Sequence, residues 1–149
     1  MNPTPPCPCI MLVSHDHGAQ LLDEFGRYAR DYELCLVDNA EQADSKIHDH
    51  LAEGIQIALI VAEYPIPDSD LGGAFESWRA QVPTARRVVV VPFDHFLSSA
   101  EDMREHVSRQ VIDAYLLLPR GVRDEEFHTA ITEYLSDWGA TTGATVVAN

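Results

Sequence analysis

Seven consecutive residues, Ile57-Ala58-Leu59-Ile60-Val61-Ala62-Glu63, constrain this chain more than any other stretch. The run is apolar until it stops on an acid, is too short and too β-branched for a core helix, and meets two prolines in Tyr64-Pro65-Ile66-Pro67. A strand apolar on both alternate faces must be covered on both sides, as a central parallel strand is between two layers of helices. In such sheets functional groups collect beyond the carboxyl ends of the strands. Glu63 therefore marks where function is expected.

The remaining chain supplies neighbours for that strand. Cys9-Ile10-Met11-Leu12-Val13, Tyr32 to Val37, Arg86 to Pro92 and Ala114 to Leu118 read as four further strands. Between them, helical spacing appears at Leu21, Leu22, Phe25 and Ala29, then at Ala43, Ile47 and Leu51, then from Leu71 to Gln81. Asp38 with Glu41 predicts a capping box for the second helix, and Ser98 with Glu101 predicts the start of the fourth. The fourth helix would turn Met103, Val107 and Val111 inward. Phe127, Ile131, Tyr134, Leu135 and Trp138 define a last helix bounded by Gly139.

Five strands alternating with five helices predict an α/β fold with a parallel sheet, and the flavodoxin-like strand order 2-1-3-4-5 is the natural arrangement for five such units. That order puts the ends of the first and third strands side by side, so His15 and Asp16 are expected next to Glu63. The domain is expected to span 9–139, after a Pro/Cys-rich leader (1–8) and before a small polar tail (140–149).

Composition narrows the function classes. The 149 residues suffice for one domain with a core of its own. With 24 acidic residues against 10 Lys plus Arg, the formal net charge of -14 argues against a nucleic-acid or anionic-membrane partner, both of which need basic patches. No spanning run or secretory signal is evident, so a cytoplasmic location is expected. Three cysteines do not make a disulfide scaffold. Cys7 and Cys9 read as incidental thiols around Pro8, and Cys35 as a small buried hydrophobe.

From about Ile10 to Trp138 the chain resembles a response-regulator receiver (CheY-like) domain. The most specific segments are Pro83-Thr84-Ala85-Arg86-Arg87-Val88-Val89-Val90-Val91, Asp113-Ala114-Tyr115-Leu116-Leu117-Leu118-Pro119 and the helix ending Tyr134-Leu135-Ser136-Asp137-Trp138. The resemblance implies a phosphoacceptor at the end of the third strand, and Glu63 stands there in place of aspartate. It implies a magnesium-binding acidic pair after the first strand, matched by His15 and Asp16. It implies a hydroxyl ending the fourth strand, matched by Val91, and a lysine before a proline in the fifth, matched by Leu118. Pro119, expected to follow a cis bond, and Tyr115, at the family's aromatic switch position, are retained.

The extra methylene of Glu63 displaces a carboxylate from in-line geometry, imidazole is a poor ligand for magnesium, and Val91 and Leu118 supply neither donor nor cation. The expectation is a degenerate, non-phosphorylatable receiver that acts by protein contact in a bacterial signalling system, with no catalysis and no cofactor. The resemblance places its contact and homodimer surface on the fourth helix, fifth strand and fifth helix, with Arg104, Arg109, Asp113 and Arg123 as exposed candidates. The alternative is a ligand or transition-metal sensor built from His15, Asp16, His17 and Glu63. Glu63 would otherwise be a solvated acid or a mimic of a phosphorylated aspartate; Arg120 is expected to be a surface arginine after a turn, the alternative being that it reaches back to pair with Glu63. His48 and His50, two apart on a helix, are not expected to share an ion.

Overall fold

In the computed structural model, which describes residues 7–119 and 125–143, each apolar run forms a strand and each amphipathic stretch a helix. The order is β1 (Cys9–Val13), α1 (Gly18–Phe25), β2 (Glu33–Val37), α2 (Ala40–Ala52), β3 (Ile57–Glu63), α3 (Leu71–Gln81), β4 (Arg86–Val91), α4 (Phe93–Ser108), β5 (Ala114–Leu117) and α5 (Glu125–Thr142). A single 3₁₀ turn, Gly26–Tyr28, follows α1. The strands pair in the order β2-β1-β3-β4-β5, all in parallel, which is the flavodoxin-like topology expected. β1 and β3 are buried along their whole length, as two-sided apolar strands require.

Two cores lie on opposite faces of the sheet. On one, Ala43 and Ile47 of α2, Phe75 and Trp78 of α3 and Met103 of α4 pack on Met11, Ile60 and Val89. On the other, Leu21 and Phe25 of α1 and Phe127, Ile131, Leu135 and Trp138 of α5 pack on Leu12, Leu59 and Val88. A polar tie joins α1 to α5 at the edge of the second core, where buried His128 lies 2.8 Å from the Tyr28 hydroxyl and 3.0 Å from Glu24 Oε1. Among the described residues no helix is long and apolar enough to cross a membrane.

The structure revises several element boundaries. α2 is capped one residue later than predicted: Asn39 Oδ1 accepts from the Gln42 amide at 2.9 Å, while Gln42 Oε1 accepts from the Asp38 amide. α4 starts at Phe93, five residues before the predicted Ser98. Pro92, at φ -58° and ψ 149°, ends the strand and opens the helix in one step, and Asp94 lies in the first turn. The hydroxyls of Ser98 and Ser99 instead donate to the His95 carbonyl inside the helix. α5 continues past Gly139 to Thr142, so the expected tail begins as helix. In α1 the tightening at Gly26 ends the predicted register, and Leu22 and Ala29 are exposed rather than inward. Leu51, expected on the inner side of α2, is likewise exposed.

Arg86 and Arg87, adjacent at the start of β4, have different environments. Arg86 is partly buried, pairs with the exposed Asp137 at 2.8 Å and donates to the Thr84 carbonyl and the Thr141 hydroxyl. Arg87 is buried, and its guanidinium donates to the carbonyls of Val111, Ala85 and Gln110, which closes the turn between α4 and β5. Burial pulls its pKa below the usual arginine value, but guanidinium remains charged at any physiological pH. Replacing it would strand those carbonyls without donors. Arg87→Met should therefore lower stability by about 3 kcal/mol, against about 1 kcal/mol or less for Arg86→Met, as read from urea unfolding of the two variants.

Candidate functional site

The carboxyl ends of β1 and β4 flank Glu63 at the end of β3. As the last residue of β3, Glu63 sits beside Val90 of β4, and it is buried, with 4% of its surface exposed. An isolated charge there would be prohibitive, so its oxygens need donors. Oε1 accepts from the Ser14 hydroxyl at 2.5 Å and from the His17 amide at 3.2 Å. Oε2 lies 2.7 Å from His17 Nδ1. An ionised carboxylate only accepts, so Nδ1 then carries a proton whether the ring is neutral or charged. The 2.5 Å O–H···O⁻ bond from Ser14 and the 2.7 Å N–H···O⁻ bond from His17 have lengths typical of charge-assisted bonds.

The local sequence explains why Ser14 and His17 are the donors. The Ser14 amide still donates to the Val37 carbonyl at 2.9 Å, which prolongs the β1 pairing by one residue and keeps its side chain against the sheet end. The chain then bends, and His17 becomes the N-cap of α1 with its carbonyl receiving the Leu21 amide. The His17 amide, an orphan donor at a helix start, is satisfied by both Ser14 Oγ and Glu63. His15 and Asp16, expected beside Glu63, are both exposed and make no hydrogen bond or ion pair to it. The first strand does deliver its end to the third, but through the residues on either side of that pair. His17 belonged to the expected metal set; Ser14 was missed, and its only signal was its place as the last residue in register with the sheet.

Val91 is wholly buried in the core under α2, α3 and α4, Leu118 is 7% exposed and packs in the core under α1 and α5, and the Leu118 amide donates to the Val91 carbonyl at 2.9 Å. A cleft of about 310 Å³ is lined by His17, Gln20, Pro92, Phe93, Asp94, Leu118 and Pro119. Gln20 Nε2 of α1 donates to the Pro119 carbonyl and bridges the cleft. The cis peptide bond described in this region joins Tyr64 to Pro65; the bond before Pro119 is not cis. Tyr115 is half-buried, its ring 5.8 Å from that of Phe96 on α4. The loop after Glu63 is held by Asp68, whose carboxylate accepts the Ala40 and Glu41 amides at the start of α2; these bonds, the one from Ala40 foremost, hold its pKa below the ordinary aspartate value.

On the expected contact face, Arg104 and Arg109 are exposed, whereas Asp113 is half-buried and its carboxylate accepts the Arg87 amide at 2.7 Å. Arg120 and Arg123 lie outside the described residues. His48 is exposed and His50 buried, as their spacing requires.

No protein-family model and no curated protein matches this sequence. Solved structures do match. A structure described as an adenylate cyclase from Rhodopirellula baltica superposes with a TM-score of 0.71 at 16% identity, covering 93% of this chain and 94% of that one. The signal receiver domain of an HD domain-containing protein from Pseudomonas fluorescens Pf-5 gives 0.70 at 19% identity, covering 97% and 98%. A CheY-like receiver domain protein from Methanospirillum hungatei JF-1 gives 0.68 at 20% identity, covering 91% and 99%. The chain has the receiver fold over nearly its full length.

The bonds made by Glu63 generate a test. Aspartate, one methylene shorter, would draw back from both Ser14 and His17. Glu63→Asp should lower stability by about 1–3 kcal/mol, measured by urea unfolding at neutral pH, even though it restores the residue expected in a receiver. An unchanged midpoint would mean that Glu63 does not secure the start of α1.

Proposed function

We propose that this chain is a receiver-like signalling module that takes up no phosphoryl group and works in the cytoplasm through protein contact, without catalysis. The observation that carries this reading is that both Glu63 oxygens are engaged by Ser14 and His17. A carboxylate nucleophile needs a free oxygen aligned with the phosphoryl donor, and one held by internal donors at the end of a buried strand offers none. Val91 and Leu118, which stand at the positions matched to the family's hydroxyl and lysine, supply neither a hydroxyl nor an ammonium to receive the transferred group. The sensor alternative has less support, since His15 and Asp16 point their polarity into solvent and the Glu63–His17 pair is already satisfied.

The proposed contact surface begins at the same cleft. Phe93 and Leu97, one helical turn apart at the start of α4, are 65% and 88% exposed, and Phe93 also lines the cleft. Large apolar side chains presented together are a common mark of a protein interface. Arg104 continues α4 beyond them with a positive charge, suited to a strongly acidic second copy of this chain. A two-fold dimer would bring α4 against its own symmetry mate.

Incubation with radiolabelled acetyl phosphate and magnesium should leave no hydroxylamine-labile label on the chain, and magnesium with beryllofluoride should move no amide resonance around Asp16, Glu63 or Leu118. A labile label would overturn the reading. Light scattering on the full chain should give a dimer that Leu97→Glu converts to monomer. A monomer at every concentration, together with failure to capture any partner through this face, would remove protein contact as the function.

A further inference from the structure

The amino end of the sheet, opposite Glu63, carries a second cluster. Cys9 opens β1, Glu33 opens β2 in register with it, and Cys35 lies two residues further along β2 on the same face as Cys9. His50 comes from the last turn of α2, which runs back over this face and ends there. Its position is fixed by a Schellman motif: the Ile55 amide donates to the His50 carbonyl at 2.8 Å and the Gly54 amide to Leu51, with Gly54 at φ +74°. The cluster is therefore set by strand register and a helix end rather than by a loop.

We propose that Cys9, Cys35 and His50, with Glu33 as the fourth ligand, form a tetrahedral site for zinc(II). Cys9 is fully buried, Cys35 is 9% and His50 6% exposed, and their ligand atoms lie within 4.8 Å of one another. Cys35 Sγ, His50 Nε2 and Glu33 Oε1 form a nearly equilateral triangle: 3.4 Å from sulfur to nitrogen, 3.4 Å from nitrogen to oxygen and 3.3 Å from sulfur to oxygen. Around zinc, with bonds of about 2.3 Å to sulfur and about 2.0–2.2 Å to nitrogen and oxygen, tetrahedral edges come to about 3.3–3.7 Å for these pairs. The triangle thus has the size of one face of the coordination shell, and Cys9 supplies the remaining corner.

Among the described residues, the polar side-chain contacts of Cys35 and His50 stay within this cluster. His50 Nδ1 has no hydrogen-bond partner, so the ring's polar contacts all run through Nε2 into the cluster. Thiols are weak hydrogen-bond partners, and two of them around a buried imidazole are poor compensation for its desolvation. Two thiolates and an imidazole are the donor set that favours zinc over magnesium or calcium. The site would pin β1, β2 and α2 together, far from the Glu63 cleft, and it is independent of whether that cleft takes up phosphate.

The full chain, prepared with reductant and freed of metal by a chelator, should bind one cobalt(II) with a strong thiolate-to-metal charge-transfer band and tetrahedral ligand-field bands, and zinc should displace it. Zinc should also raise the melting temperature. Cys35→Ser and His50→Gln should abolish the band. Glu33→Gln, at a residue half open to solvent, should leave the circular dichroism unchanged while weakening zinc binding at least tenfold. Cys7→Ser and His48→Gln should bind as the parent does. The proposal is overturned if the folded parent gives no thiolate band, if the band survives in both Cys35→Ser and Glu33→Gln at full affinity, or if it disappears in Cys7→Ser.

Discussion

A carboxylate at the end of a fully buried central strand must find donors or lose its charge, and the way Glu63 meets that demand shapes the whole carboxyl end of the sheet. Its three donors come from one short segment, Ser14 to His17, so a single acid fixes where β1 stops, how the chain bends and where α1 begins. The bond to the His17 amide does double duty, because that amide would be unpaired at the start of a helix in any case. α1 is only eight residues long and buries two side chains, Leu21 and Phe25, so a helix of this length depends on such anchoring. The same contacts that settle the fold here occupy the oxygens a phosphoacceptor would need free.

The ends of β4 and β5 are apolar in keeping with this. With the Glu63 carboxylate drawn towards β1 and its oxygens supplied from Ser14 and His17, Val91 and Leu118 can each pack in the core on its own face of the sheet without facing an unpaired charge. An aspartate in place of Glu63 would have a shorter reach towards those same donors.

Much of the fold was legible because burial writes itself into apolar runs. Two-sided strands gave β1, β3 and β4, helical spacing gave the inner faces of α3 and α5, and the strand order followed from alternation. What the pattern could not resolve was which residue of a short polar segment turns inward. Topology brings the end of β1 to Glu63, but whether His15 and Asp16 or Ser14 and His17 make the contact depends on one further residue of sheet pairing, the Ser14 amide bonding to Val37. The start of α4 was hidden for a similar reason: Pro92 has no side-chain oxygen to announce a cap, yet its fixed φ opens the helix before the Ser98 signal is reached.

The cluster at the other end of the sheet was illegible on different grounds. Cys9, Cys35 and His50 carry no close spacing that would mark a ligand set, since each comes from a different element and only register joins them. Cys35 alternates along β2 as a small hydrophobe would, and His50 looks like the partner of His48 until the helix turns the two apart. Parallel pairing of β1 with β2 puts the two thiols on one face, and the antiparallel run of α2 above them, stopped at Gly54, delivers the imidazole. β1 therefore carries polar chemistry at both ends of an otherwise wholly apolar strand, Cys9 at its start and Ser14 just past its end. A change that slips β1 by one residue would turn both side chains to the opposite face of the sheet, so the two clusters specify the register of β1 from both of its ends.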